Sequence, residues 1–130
     1  MDVIAIRLKP GEDLKQSLLS YCIDEKIDAA YILSCVGSLR QATIRFANQP
    51  EGTVFEQPLE IVSLEGTLSQ YGVHFHIVVS DSEGQVIGGH LMDGSKSYTT
   101  AEIVLGIVPN TIFKREIDPF TGYRELTIAT

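Results

Sequence analysis

The three histidines of this 130-residue chain, His74, His76 and His90, are the side chains best suited to chemistry. In a β-strand, residues two apart project from the same face, so His74 and His76 point together while Phe75 points the other way. Three imidazoles on one patch suit Zn²⁺, which binds histidine nitrogen at about 2.0–2.1 Å and often leaves a fourth position to water or another ligand. The first question is therefore whether His90 reaches the same patch.

The turn between the two histidine segments decides this, because odd and even loops place His90 on opposite faces of the sheet. If Asp81 pairs with Gln85 across a three-residue loop ending in a left-handed glycine, the turn is a common bulged type. His90 then lies across from His76, and His74 sits one diagonal step away. This register predicts a zinc site made of the three histidines, whereas a bulge would shift it by one residue.

Less specific interpretations compete with this one. Two histidines in an H-x-H motif are more often partly buried and hydrogen-bonded than bound to a metal. The third histidine, His90, makes a metal site the favoured interpretation. The glycines Gly88 and Gly89 remove side chains next to His90, which permits close approach of a ligand or of another backbone, or simply tight packing. Glu65 and Glu102 lie in apolar strands, where each is a metal-site base or, as we favour, a hydrogen-bonded structural acid. The sequence has no G-x-S-x-G, Gly-rich phosphate loop or H-E-x-x-H motif.

The periodicity of apolar residues predicts the elements that carry these side chains. Leu14, Leu18 and Cys22 recur at helical spacing, which predicts one main helix over about Glu12–Glu25, with its acidic residues in the first turn. Elsewhere short apolar or alternating runs predict strands. They are Val3–Leu8, Ala30–Val36, Ala42–Ala47, Leu59–Leu68, Val73–Val79, Gln85–Leu91, Ala101–Val108 and Arg124–Ile128.

The predicted fold class is therefore α+β, a mainly antiparallel twisted sheet of about seven or eight strands with one N-terminal helix. The apolar runs Ala30–Val36 and Ala42–Ala47, on either side of Gly37 and Ser38, are typical of two paired strands. Within Leu59–Leu68, simple alternation places Leu59 with Ser63 on one face and Val62 with Leu64 on the other.

Composition sets the broad class. A chain of 130 residues with 44% hydrophobic content predicts one domain spanning 1–130. The 17 acidic residues outnumber the 10 basic ones, giving a net charge of -7, which opposes direct DNA binding. Cys22 and Cys35 lie in apolar stretches and need not pair. Because no signal-like segment and no apolar run of about 20 residues occurs, we expect a soluble, cytoplasmic protein without a membrane span.

Five short motifs, taken in order, resemble those of a stand-alone prokaryotic PPC domain, the domain shared by plants and prokaryotes. They are LKPGEDL from Leu8, VGSL from Val36, EGTL from Glu65, GVHFH from Gly72 and GGHL from Gly88. The resemblance spans nearly the whole chain. It implies a compact antiparallel sheet with a packed helix, assembled as a homotrimer. It also implies a zinc site at His74, His76 and His90.

The plant relatives of this domain follow AT-hook segments and use the domain for self-association and contact with transcription factors. This chain has no Arg-Gly-Arg-Pro hook, and where plants have Gly-Arg-Phe-Glu-Ile-Leu it reads QPLEIV from Gln57. The leading hypothesis is therefore a homotrimeric module that binds a metal or small ligand or serves assembly. Its rivals are a regulator that binds DNA or a protein partner, and a zinc-dependent, hydrolase-like enzyme with Glu65 or Glu102 as base.

Overall fold

A computed structural model describes residues 2–130, which form one helix and nine strands. The elements are β1 (Val3–Leu8), α1 (Leu14–Asp24), β2 (Ala30–Arg45), β3 (Thr53–Phe55), β4 (Leu59–Ser69), β5 (Gly72–Ser80), β6 (Val86–Leu91), β7 (Lys96–Ile107), β8 (Ile112–Ile117) and β9 (Arg124–Ala129). This mainly antiparallel arrangement confirms the α+β prediction. No helix within residues 2–130 has the length and apolar character needed to cross a membrane.

The main sheet has seven strands in the order β1-β7-β2-β4-β5-β6, with β3 added to β2. The long β2 pairs with β4 through its first half and with β6 near its end, at Ile44 and Arg45. Strands β2, β4, β5 and β6 thus close on themselves, and their inner faces form the core around the fully buried Phe75. Closure removes the free edge that β6 would otherwise have, and it brings Arg45 beside His90.

Helix α1 begins two residues later than predicted. Asp13 is its N-cap, since the Asp13 carboxylate accepts a hydrogen bond from the Gln16 backbone N–H at 3.0 Å. Glu12 remains in the preceding turn, where its carboxylate accepts from the Lys9 N–H at 2.6 Å. The helix buries Leu14, Leu18 and Cys22, as predicted, and packs against β4 and β5.

The prediction of two paired strands around Gly37 is wrong, because β2 runs unbroken for 16 residues. Gly37 does not make a turn. A Cβ there would lie 2.1 Å from the Thr100 carbonyl oxygen, so the glycine permits close approach of β7. Simple alternation also fails in β4, where the register shifts between Ile61 and Ser63 and Leu64 becomes buried.

Two strands were not predicted from the sequence. The first is β3, a three-residue strand at the edge of the main sheet. The second is β8, which pairs with β9 in a separate two-stranded sheet, the C-terminal hairpin, that packs on β4 and β5. The two cysteines are free thiols, as expected, and burial raises the pKa of each to about 11.

Candidate metal centre

The turn that joins β5 to β6 has the three-residue form predicted from the sequence. The Asp81 N–H donates to the Gln85 carbonyl at 2.9 Å, and the Gly84 N–H donates to the Asp81 carbonyl at 3.0 Å. Gly84 is left-handed, with φ +79. The Asp81 carboxylate also accepts from the N–H groups of Glu83 and Gln85, both at 2.9 Å. These contacts fix an odd loop and therefore the register of the two strands.

The register brings the three histidines together. His76 lies directly opposite His90, and the ring centroids of His74 are 5.1 Å from His76 and 5.2 Å from His90. One nitrogen from each ring lies within 4.8 Å of the others. Tetrahedral zinc with Zn–N bonds of about 2.0–2.1 Å places its ligand nitrogens roughly 3.4 Å apart. The donor set fits zinc, and the three nitrogens would move closer together around an ion.

The pleat of β5 explains why these rings face outward. Phe75 and Ile77 point into the core and are buried, so His74 and His76 project from the opposite face and are exposed. His90 is half-buried, because β2 packs beside it. A Cβ on Gly89 would lie 2.7 Å from the Arg45 carbonyl oxygen, so this glycine admits another backbone, one of the alternatives predicted for it.

The environment keeps two of the imidazoles in the neutral form that binds metals. Burial lowers the pKa of His90 to about 4, and the charge of Arg45 acts in the same direction. Burial also lowers the pKa of His74, assisted by Arg115 and His76 and opposed by Glu125. Neutral imidazoles need lose no proton before they bind an ion.

The two acidic candidates have different positions. Glu65 lies directly opposite His76 on β4 and is exposed, because the register shift after Ile61 turns it to the outer face. In the described part of the chain, however, the group of mutually close donors consists of the three histidines alone. Glu102 is on β7, opposite Arg7, and accepts a hydrogen bond from the Thr100 hydroxyl at 3.4 Å. Glu102 is exposed and lies outside the histidine cluster.

Two arginines beside the histidines were missed by sequence reasoning. Arg45 lies directly opposite His90, and Arg115 Nη2 donates to Thr67 Oγ1 at 2.7 Å, where Thr67 is the residue opposite His74. Both come from segments remote in sequence. A signal for the second existed in the DPFTG turn from Asp118, which is typical of a hairpin and would have placed a strand at Arg115.

Comparisons with known proteins agree with the fold. The profile of the Plants and Prokaryotes Conserved (PCC) domain family matches residues 1–109. A curated relative, the bifunctional protein GlmU of Synechococcus sp. (strain JA-3-3Ab), is 48% identical over 126 residues, which are 97% of this chain. The chain spans only about a fifth, 20%, of that relative's length.

Two solved structures are also similar. A protein of Salmonella enterica is 37% identical with a TM-score of 0.96, covering 99% of this chain and 94% of that one. A metal-containing protein of Archaeoglobus fulgidus is 28% identical with a TM-score of 0.80, covering 98% of this chain and 94% of the other.

Proposed function

The chain belongs to the Plants and Prokaryotes Conserved (PCC) domain family, and from this premise we propose that it is a homotrimeric zinc-binding module. Its zinc ligands are His74, His76 and His90, and its role is to present the bound ion to a small ligand or to support assembly. The observation that carries this proposal is the convergence of three imidazole nitrogens within 4.8 Å on one outward face.

Zinc is the metal that the donor set favours. Three neutral imidazoles with a fourth position left to water or a ligand are a common zinc arrangement, while hard ions such as Mg²⁺ and Ca²⁺ prefer oxygen donors. The metal-containing relative from Archaeoglobus fulgidus, with the same fold over 98% of this chain, supports a metal in this family. Bound zinc acts as a Lewis acid and lowers the pKa of a bound water.

The exposed face of the main sheet supports the homotrimer. Large apolar side chains on β1, β2 and β4 remain open to solvent, with exposed fractions of 52% for Val3, 45% for Leu33, 62% for Val36 and 56% for Val62. A sheet face of this kind is a common protein interface, since apolar surface is stabilised by removal from water. Identical copies of the chain are the partners we propose for it.

A second candidate function is zinc-dependent hydrolysis, and the position of Glu65 favours it. This carboxylate is exposed and lies directly opposite His76, on the same face as the histidines. A general base next to a metal-bound water is a usual feature of such enzymes. Glu65→Gln separates the two candidates: retained zinc with lost hydrolysis of an activated ester supports the enzyme, and unchanged behaviour in both assays supports the binding module.

The proposal is tested by elemental analysis of the purified protein together with its mass in solution. We expect one zinc ion per chain and a mass about three times the 14.3 kDa of the chain. Protein that purifies without metal and does not take up added zinc contradicts the metal site. A monomeric mass at micromolar concentration contradicts the homotrimer.

A further inference from the structure

Arg115 reaches the histidine cluster from the C-terminal hairpin. The hydrogen bond from its Nη2 to Thr67 Oγ1 holds the guanidinium next to the residue that pairs with His74. Gly72, the first residue of β5, makes room for this side chain, because a Cβ there would lie 3.0 Å from Arg115 Cγ. The hairpin thus places a fixed positive charge on one side of the cluster.

Arg45 supplies a second positive charge on the other side. It is directly opposite His90 and, like Arg115, half-buried. Glu125 on β9 is an acidic neighbour of Arg115, and a partly buried guanidinium is stabilised further by an anionic ligand. The histidines therefore lie between two arginines, with Glu125 as the acidic neighbour of Arg115.

The surrounding cavity has the size and charge of a site for a small anion. Its volume is about 970 Å³, within the range of small-molecule sites. Arg45, Arg115 and Arg124 line it together with a single carboxylate, Glu125. In a chain with a net charge of -7, this concentration of arginine is a local reversal of sign. An ion bound by three neutral imidazoles would add further positive charge.

We propose that this cavity binds a small oxyanion, a carboxylate or a phosphate group, with one oxygen at the open metal position and the others on Arg115 and Arg45. This inference rests on the proposed zinc site. The planar guanidinium group pairs with two oxygens of a carboxylate or phosphate at once, which lysine does not do. The ligand class of the module is therefore anionic.

Calorimetric titration of the zinc-loaded protein, with no zinc in excess, tests this with two probes, inorganic phosphate and malonate. We expect at least one of them to bind and Arg115→Gln to weaken that binding at least about tenfold, because charge-assisted hydrogen bonds are lost. Arg115→Lys keeps the positive charge but not the planar guanidinium group, and it should weaken anion binding less than Arg115→Gln does. Arg40→Gln is the control, since Arg40 is an exposed arginine of β2 that does not line the cavity and its loss changes the net charge equally.

Zinc affinity is measured separately on each variant by competition with a chromophoric chelator. Two results would overturn the oxyanion site without affecting the proposed zinc site. In the first, zinc binds normally but neither anion binds. In the second, an anion binds and Arg115→Gln leaves its affinity unchanged. Failure of the wild-type chain to bind zinc overturns the proposed function instead. Anion binding that is lost when zinc is removed by a chelator and restored when zinc is added back supports both the zinc site and the oxyanion site.

Discussion

His76 and His90 lie directly opposite each other across β5 and β6, with ring centroids 6.0 Å apart. Their pairing follows from the odd loop between the strands, in which Gly84 adopts φ +79. A loop one residue shorter or longer would turn His90 towards the core and separate it from the cluster. The metal centre therefore depends on the turn as much as on the ligands.

Removal of one ligand should abolish tight zinc binding. We expect His90→Ala to weaken zinc affinity by more than about 100-fold, beyond what loss of an outer-shell partner of a ligand typically costs. Competition with a chromophoric chelator measures this. Val86→Ala is the matched control, because Val86 lies on the same strand and is 62% exposed. Equal zinc affinity in the two variants would exclude His90 as a ligand.

The metal-free protein should lose stability as the pH falls from 6.5 to 4. In the folded chain the pKa of His90 is about 4, below the ordinary 6.5, so across this interval the unfolded chain binds the extra proton. The lowered pKa of His74 acts in the same direction. Urea unfolding of chelator-treated protein should show the free energy of unfolding falling more steeply for the wild type than for His90→Gln. Parallel pH profiles would contradict the lowered pKa of His90.

Gly89 should be needed for both stability and metal binding. A methyl group at this position meets the Arg45 carbonyl at 2.7 Å and Ile44 Cγ2 at 2.9 Å, so β2 and β6 must move apart. We expect Gly89→Ala to reduce the free energy of unfolding by about 1–3 kcal/mol, as for other overpacked sites, and to weaken zinc binding. Denaturant titration checks the first effect. A variant as stable as the wild type would show that the two strands tolerate separation.

The turn and the alternation within β5 could be predicted from the sequence because both are local. The turn residues around Gly84 predict the register of β5 against β6, and the H-x-H spacing predicts that His74 and His76 lie on the same face of the sheet. The continuity of β2 could not be predicted, since Gly37 serves packing against Thr100 on a distant strand. The DPFTG turn could have predicted a strand at Arg115, but the positions of Arg45 and Arg115 beside the histidines depend on contacts with residues more than 40 positions away, which a single sequence does not reveal.

The homotrimer should depend on the exposed face of the main sheet. We expect Val36→Asp to convert the trimer to a monomer, because burial of a charge at an apolar interface is costly. Val86→Asp is the matched control, since both valines are 62% exposed and Val86 lies on β6 next to the hairpin turn. Light scattering coupled to size exclusion gives the masses. A trimer that survives Val36→Asp would place the interface elsewhere.

X-ray absorption at the zinc edge of the zinc-loaded protein tests the central claim most directly, because it identifies the atoms bound to the ion. Three imidazole nitrogens at about 2.0–2.1 Å, with the outer-shell scattering of the rings and one further light atom, are the predicted result. Sulfur in the first shell, or oxygen and nitrogen neighbours without imidazole rings, would contradict a site built from His74, His76 and His90.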